Sequence, residues 1–236
     1  MSQSRVAVVL GAGPGLGAAV ARRFAREDFA VGLMARGKSD QIQQEIEDSG
    51  GKAVCISTDA SNPDSVASAF AQLREQLGPP EVFVYNAGLF EVKGILELTP
   101  ERFEQCWRVN CLGAFLGAQQ VLPAMVERKQ GTILLTGATA SLKGSARFAG
   151  LAVGKFGLRA LAQSLAREFG PQGIHIAHII NDGIIDTPRV RQMAPERDAH
   201  TMLSPEAIAE TYWQLHRQDA SAWTLELDLR PSVEKF

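Results

Sequence analysis

The densest chemical signal in the chain is a glycine-rich run near its start, Leu10-Gly11-Ala12-Gly13-Pro14-Gly15-Leu16-Gly17. Residues 6–10 ahead of it are β-branched and aliphatic, which suits a strand covered on both faces. Behind it Leu16, Val20 and Phe24 recur every four residues, with Arg22, Arg23, Arg26 and Glu27 on the other side, the pattern of an amphipathic helix. A glycine turn between strand and helix lets the backbone approach a pyrophosphate and leaves its oxygens facing the helix amides, so the chemistry on offer is dinucleotide binding. A bare strand–helix connection would use the same residues with no ligand. Two registers fit. Gly-x-Gly-x-x-Gly/Ala runs from Gly13 to Ala18, whereas Gly-x-x-x-Gly-x-Gly uses Gly11, Gly15 and Gly17 around Leu16 and sets its first glycine directly after the strand, where the chain must turn sharply. The second register is preferred.

Other chemistries find no support. Cys55, Cys106 and Cys111 show no CxxC spacing and no nearby paired histidines, so reduced thiols are expected, with no disulfide and no metal. Lys+Arg 24 against Asp+Glu 26 gives a net charge of -2, and no basic run interleaved with aromatics marks a nucleic-acid surface. The uncharged stretch 6–21 after Arg5 imitates a signal peptide, but four glycines and Pro14 interrupt it, which fits neither a leader helix nor a membrane span of about 20 residues. A cytoplasmic protein without membrane contact is expected.

The 236-residue chain, 45% hydrophobic and 21% charged, contains no linker, repeat or charge block, and a single domain over 1–236 fits it. Strands are expected at 31–35, 53–57, 82–85, 133–136, 174–180 and 223–229. Helices are expected from Ser39 or Asp40 to the stop at Gly50 and Gly51, at 63–77, at 148–169 and at 205–217. Thr99 caps a further helix with Pro100 at its first position, running to about Arg128 and bending near Pro123. Strands alternating with helices argue for an α/β Rossmann-type doubly wound parallel sheet of about seven strands, with ligands at the carboxyl ends of the strands.

With this order in place the chain resembles the single-domain short-chain dehydrogenase/reductase family over nearly its whole length. The glycine turn matches at Gly11, Gly15 and Gly17, the Asp after strand three at Asp59, the Asn-Ala-Gly after strand four at Asn86, Ala87 and Gly88, and the helix-four Asn at Asn110. The resemblance implies that Asp59 contacts adenine, that Ile184 and Thr187 lie beside a nicotinamide, and that residues 188–203 form a substrate lid. Asp182 departs from the family, which carries Pro there. Charge at the end of strand two favours NADP(H) over NAD(H): Ala35 offers no carboxylate to the ribose hydroxyls, and Arg36 can hold a 2′-phosphate, with Lys38 as a second candidate.

The resemblance also exposes a defect. With Lys155 in the family's helix-five Lys position, the Tyr four residues earlier is Leu151 and the Ser thirteen residues before that is Ala138. The chain has only two tyrosines, Tyr85 and Tyr212, neither in this helix. Asn110 and Lys155 are the half of the tetrad that survives, and Lys155 can still hold the nicotinamide ribose. Losing the acid that protonates a developing alkoxide typically costs about 10²- to 10⁴-fold in rate. Thr139, Ser141, Ser145 and the lid's His200 are candidate substitutes, while His175 and His178, on opposite faces of one strand, are expected to be structural. Three functions stay open: an oxidoreductase with an atypical proton source such as water, Lys155 or a lid residue; a silent NADP(H) sensor; and a structural partner of an active homologue. A homodimer or homotetramer is expected, because the helices around 103–125 and 148–169 are apolar beyond one stripe and contain small Gly113, Gly117, Ala118, Ala152 and Gly154.

Overall fold

The computed structural model describes residues 5–37 and 39–234, so Lys38 lies outside the described residues. Seven strands, β1 (Val6–Leu10), β2 (Ala30–Ala35), β3 (Lys52–Ser57), β4 (Val82–Tyr85), β5 (Gly131–Ala138), β6 (Ile174–Asn181) and β7 (Glu226–Leu229), form one sheet in the order β3-β2-β1-β4-β5-β6-β7. Every pairing is parallel, as the alternation of strand and helix requires. Helices α1 (Leu16–Ala25), α2 (Asp40–Asp48) and α8 (Pro205–His216) cover one face over Val9, Leu33, Leu134 and Trp213. Helices α3 (Pro63–Gln76), α5 (Gly113–Arg128) and α6 (Ala149–Phe169) cover the other over Leu10, Phe70, Phe83 and Leu158. Strand order reverses between β1 and β4, and the crevice above that point is where such a fold binds its ligand.

Three expectations need correction. The helical run from Pro100 to Arg128 is not uniformly α: a π-turn, Arg108–Leu112, lies between α4 (Pro100–Trp107) and α5, and Pro123 sits inside α5. The Asn110 side chain donates to the Cys106 carbonyl at 2.9 Å, taking up part of the bonding that the helix register gives away there. Second, Ser39 does not cap α2 with its hydroxyl, which donates instead to the Ala12 carbonyl of the glycine turn at 3.0 Å. Third, the small helical residues do not face outward. A Cβ on Gly113 would lie 2.3 Å from the Tyr85 hydroxyl, one on Gly117 2.3 Å from the Phe83 ring, and one on Gly154 2.5 Å from the Asn110 Cβ. Ala118 and Ala152 are buried as well, so this set makes room for the chain's own core and carries no argument for association.

The helical run Pro100–Arg128 is long and apolar enough to cross a membrane by hydropathy alone, and half of that stretch is buried inside the protein. Short α7 (Pro188–Met193) and a 3-10 turn, Ala199–Thr201, fill the segment expected to be a lid.

Candidate active site

The glycine turn is fixed by its neighbours on both sides. Gly11 and Ala12 donate their amides to the Met34 carbonyl at the end of β2 (2.7 and 3.1 Å), and Asn86 and Ala87 donate theirs to Leu10 (2.8 and 2.9 Å). The Asn86 side chain adds a bond to the Gly11 carbonyl at 2.9 Å. Gly11 has φ 105°, open to glycine at little cost, and a Cβ there would sit 2.3 Å from the Ala87 nitrogen. On Gly17 it would meet the Gly11 carbonyl at 2.3 Å and on Gly15 the Thr187 methyl at 2.9 Å, whereas around Gly13 nothing lies within 4 Å. The positions that cannot carry a side chain are therefore those of the Gly-x-x-x-Gly-x-Gly register. Helix α1 has no side-chain cap at Gly15; the Ala18 amide is taken by the Gly13 carbonyl at 3.1 Å, which leaves those of Leu16 and Gly17 for a ligand.

Above the turn a cleft of about 360 Å³ is lined by Gly11, Arg36, Asp59, Asn86, Ala87 and Gly88 among others, so half of the expected cofactor positions come together there. Arg36 is exposed at its rim and forms no hydrogen bond or ion pair with another described residue. The Asp59 carboxyl accepts from the Ser61 amide and hydroxyl (2.9 and 2.7 Å), and these bonds, with nearby Arg36, hold it below the usual carboxylate range. Gly15 and Thr187 line a neighbouring cleft of about 620 Å³. Leu16 belongs to neither, since its side chain packs into the core beneath the turn. Ile184 is exposed after β6.

Asn110 and Lys155 are buried where α6 crosses α4 and the π-turn. Asn110 donates to the Leu89 carbonyl at 3.0 Å and accepts from the Leu89 amide at 3.2 Å, tying the π-turn to the loop after β4. Lys155 donates from Nζ to the Thr136 carbonyl at 2.7 Å, and burial pulls its pKa from 10.5 down to about 8. Leu151 lies one turn earlier on α6, buried, and Ala138 ends β5. Both tyrosines are engaged within the fold. Tyr85 donates to the Val109 carbonyl and Tyr212 pairs with the Thr136 hydroxyl at 2.9 Å; both are buried, which pushes their pKa values up, that of Tyr212 to about 12.

Among the candidate substitutes, Ser145 and His200 are exposed. His175 and His178 do point to opposite faces of β6. His175 stacks on Trp223 at 4.9 Å, while His178 lies between Ser141 and Glu226, 3.3 Å from each. Thr139 donates to the Asp182 carboxylate at 2.5 Å, and Asp182 also pairs with Arg230 at 3.2 Å. Glu226 and Arg230 were not anticipated from sequence; Asp182 carried the one available signal, its departure from the family's Pro. Among the described residues no three of His, Cys, Asp and Glu gather closely enough to hold a metal ion.

The model of the short chain dehydrogenase family matches residues 5–198. The chain belongs to that family. It is 35% identical over 193 residues to a short-chain dehydrogenase/reductase of Armillaria gallica, covering 80% of this chain and 74% of the relative. Among solved structures, a short-chain dehydrogenase from Rhodopseudomonas palustris is 38% identical with a TM-score of 0.84, over 96% of this chain and 98% of that one. An actinorhodin polyketide ketoreductase solved with NADPH is 25% identical with a TM-score of 0.90, over 100% of this chain and 99% of that one. As a short-chain dehydrogenase the chain has the single-domain Rossmann-type architecture expected of it, and the NADPH-bound neighbour supports a nicotinamide cofactor for this fold.

Proposed function

We propose that this short-chain dehydrogenase is an oxidoreductase that binds NADP(H) in preference to NAD(H) and works without the family's Ser and Tyr. The observation that carries the reading is the rim of the cleft: Arg36 stands there unpaired among the described residues, beside Ala35 where an adenosine-ribose carboxylate would repel a phosphate. The residues fit such a cofactor. Gly11, Gly15 and Gly17 would cradle the pyrophosphate against the uncapped amides of α1, Asp59 and the Asn86–Ala87–Gly88 segment would face the adenosine half, and Thr187 and Ile184 the nicotinamide half. When bound, the cofactor supplies hydride chemistry. Lys155 would hold the nicotinamide ribose and Asn110 the backbone around it, while Leu151 and Ala138 supply neither an acid nor a polarising hydroxyl.

The locked-away tyrosines favour a second reading, an NADP(H)-binding sensor or structural subunit without turnover. In either case we propose a cytoplasmic homodimer or homotetramer, supported now by Trp107, Phe115, Val153 and Phe156, which α4, α5 and α6 expose on their outer faces. The test is a fluorescence titration with NADPH and NADH. NADPH should bind at least about tenfold more tightly, and Arg36→Ala should remove most of that difference while leaving NADH unchanged, since a charge-assisted contact contributes about 1.5–3 kcal/mol. Equal affinities in the wild type contradict the cofactor assignment.

A further inference from the structure

We propose that Thr139 and Asp182 form the proton-handling pair of this site, and that the pair suits it to oxidising an alcohol on an apolar body. The proposal rests on the NADP(H) reading above. Strands β5 and β6 run parallel with Ala138 opposite Asn181, so the next residue of each, Thr139 and Asp182, leave the carboxyl ends of adjacent strands side by side. The Thr139 hydroxyl donates to Asp182 Oδ1 at 2.5 Å, Arg230 lies 3.2 Å from Oδ2, and the Asp182 amide donates to the Leu229 carbonyl at 2.7 Å. Thr139 and Asp182 are only partly buried, Thr139 directly after the position left without a hydroxyl at Ala138 and Asp182 directly after its strand partner Asn181.

The turn that carries Thr139 is held from beneath. Ser141, fully buried, accepts from the Ala138 amide at 3.2 Å, so its own hydrogen is free to point at His178 Nε2, 3.3 Å away. His178 then has its hydrogen on Nδ1, facing Glu226 at 3.3 Å, and Arg159 grips that carboxylate with two bonds of 2.6 Å. Ser141 has no exposure to a substrate, so this chain fixes the turn and leaves Thr139 as the group that faces outward.

The chemistry has a direction. Ketone reduction develops an oxyanion that needs a proton, but the Thr139 proton is committed to a carboxylate, whose charge repels an oxyanion. In oxidation the arrangement works: the alcohol's O–H proton passes to Thr139 Oγ1 as the Thr139 proton passes to Asp182, and the C–H hydride leaves with its electron pair to the oxidised nicotinamide dinucleotide. The products are the carbonyl compound, the reduced dinucleotide and a protonated Asp182 that returns its proton to solvent. The loops leaving the same ends of β4, β5 and β6 expose Phe90, Leu142 and Ile184, which selects an apolar body for the alcohol.

The test uses 2-octanol, 1-phenylethanol and cyclohexanol with NADP⁺ and wild type, Thr139→Ser, Thr139→Val and Asp182→Asn. A parallel ¹⁹F NMR titration of 2,2,2-trifluoro-1-phenylethanol into the NADP⁺-loaded proteins reads the same contact without turnover. Oxidation by wild type and Thr139→Ser should agree within about fivefold, whereas Thr139→Val and Asp182→Asn should lose about 10²- to 10⁴-fold in kcat, with KM for the alcohols raised about tenfold and NADP⁺ affinity nearly unchanged. The carbinol should bind at least about tenfold more weakly to the two impaired variants. Equal kcat in all four proteins overturns the proposal, as does a wild type that binds NADP⁺ yet oxidises none of the alcohols and holds the carbinol no better than Thr139→Val. Either result leaves the cofactor reading standing. Failure of the wild type to bind NADP⁺ overturns both.

Discussion

Replacing Lys155 by Met should make the protein more stable at neutral pH while weakening its hold on the cofactor. The Lys155 ammonium is buried with, among the described residues, a single hydrogen bond, to the Thr136 carbonyl, and burial lowers its pKa from 10.5 to about 8. Keeping it charged inside the fold at pH 7 therefore costs about 3 kcal/mol, to an order of magnitude, relative to the unfolded chain. Methionine has nearly the same shape without the charge, and the lost hydrogen bond offsets about 1 kcal/mol of the gain. Lys155→Met should then be more stable by about 2 kcal/mol in urea denaturation at pH 7. Because the folded-state pKa lies below the unfolded one, the unfolded chain binds more protons between pH of about 8 and 10.5, and the wild type gains stability there as pH rises. By about pH 9.5 it should have recovered about 2 kcal/mol, so the two proteins should denature together. A variant less stable than wild type at pH 7, or a gap that does not close as pH rises, would refute the burial argument. A stabilising variant that loses NADPH affinity would mark Lys155 as a group retained for the cofactor at the expense of the fold.

Gly154→Ala brings a methyl to 2.5 Å from the Asn110 Cβ and should destabilise the protein by about 1–3 kcal/mol in the same urea assay, with unchanged stability contradicting the close crossing of α6 on the π-turn. Phe156→Glu, at an exposed apolar position of α6, should shift a dimer or tetramer to monomer by light scattering at micromolar concentration, and a wild type that is already monomeric removes the proposed interface. Gly17→Ala would bring a methyl to 2.3 Å from the Gly11 carbonyl and should abolish NADPH binding or folding, and wild-type behaviour of that variant would contradict the chosen register.

The glycine register was legible in sequence because it is a matter of backbone geometry: a strand, a sharp turn and a helix leave no room for Cβ atoms at Gly11, Gly15 and Gly17. The parallel sheet followed from the alternation of periods, and the place of Arg36 at the cleft rim from its position after β2. What could not be read were contacts set by the parallel register of β5, β6 and β7. Thr139 meets Asp182 across 43 residues and His178 meets Glu226 across 48, and neither spacing has any local signature. Gly113, Gly117 and Gly154 misled for a related reason. A small residue on a helix signals close approach without saying to what, and here the neighbours are Tyr85, Phe83 and Asn110. Pro123, which removes one helical bond, was visible in the sequence, but the π-turn around Asn110 had no local signature.

The most direct measurement is NADPH oxidation over a panel of simple ketones and aldehydes by the wild type and by the double variant Ala138→Ser with Leu151→Tyr, at saturating NADPH. The wild type should stay near background, since the carbonyl oxygen meets neither acid nor polarising hydroxyl, although NADPH is bound. The double variant should gain turnover with little change in NADPH affinity, and each single change should give far less than its share, because both residues act on one oxygen. Vigorous ketone reduction by the wild type, undiminished in Lys155→Ala, would contradict the assignment of Leu151 and Ala138 as the vacated catalytic positions.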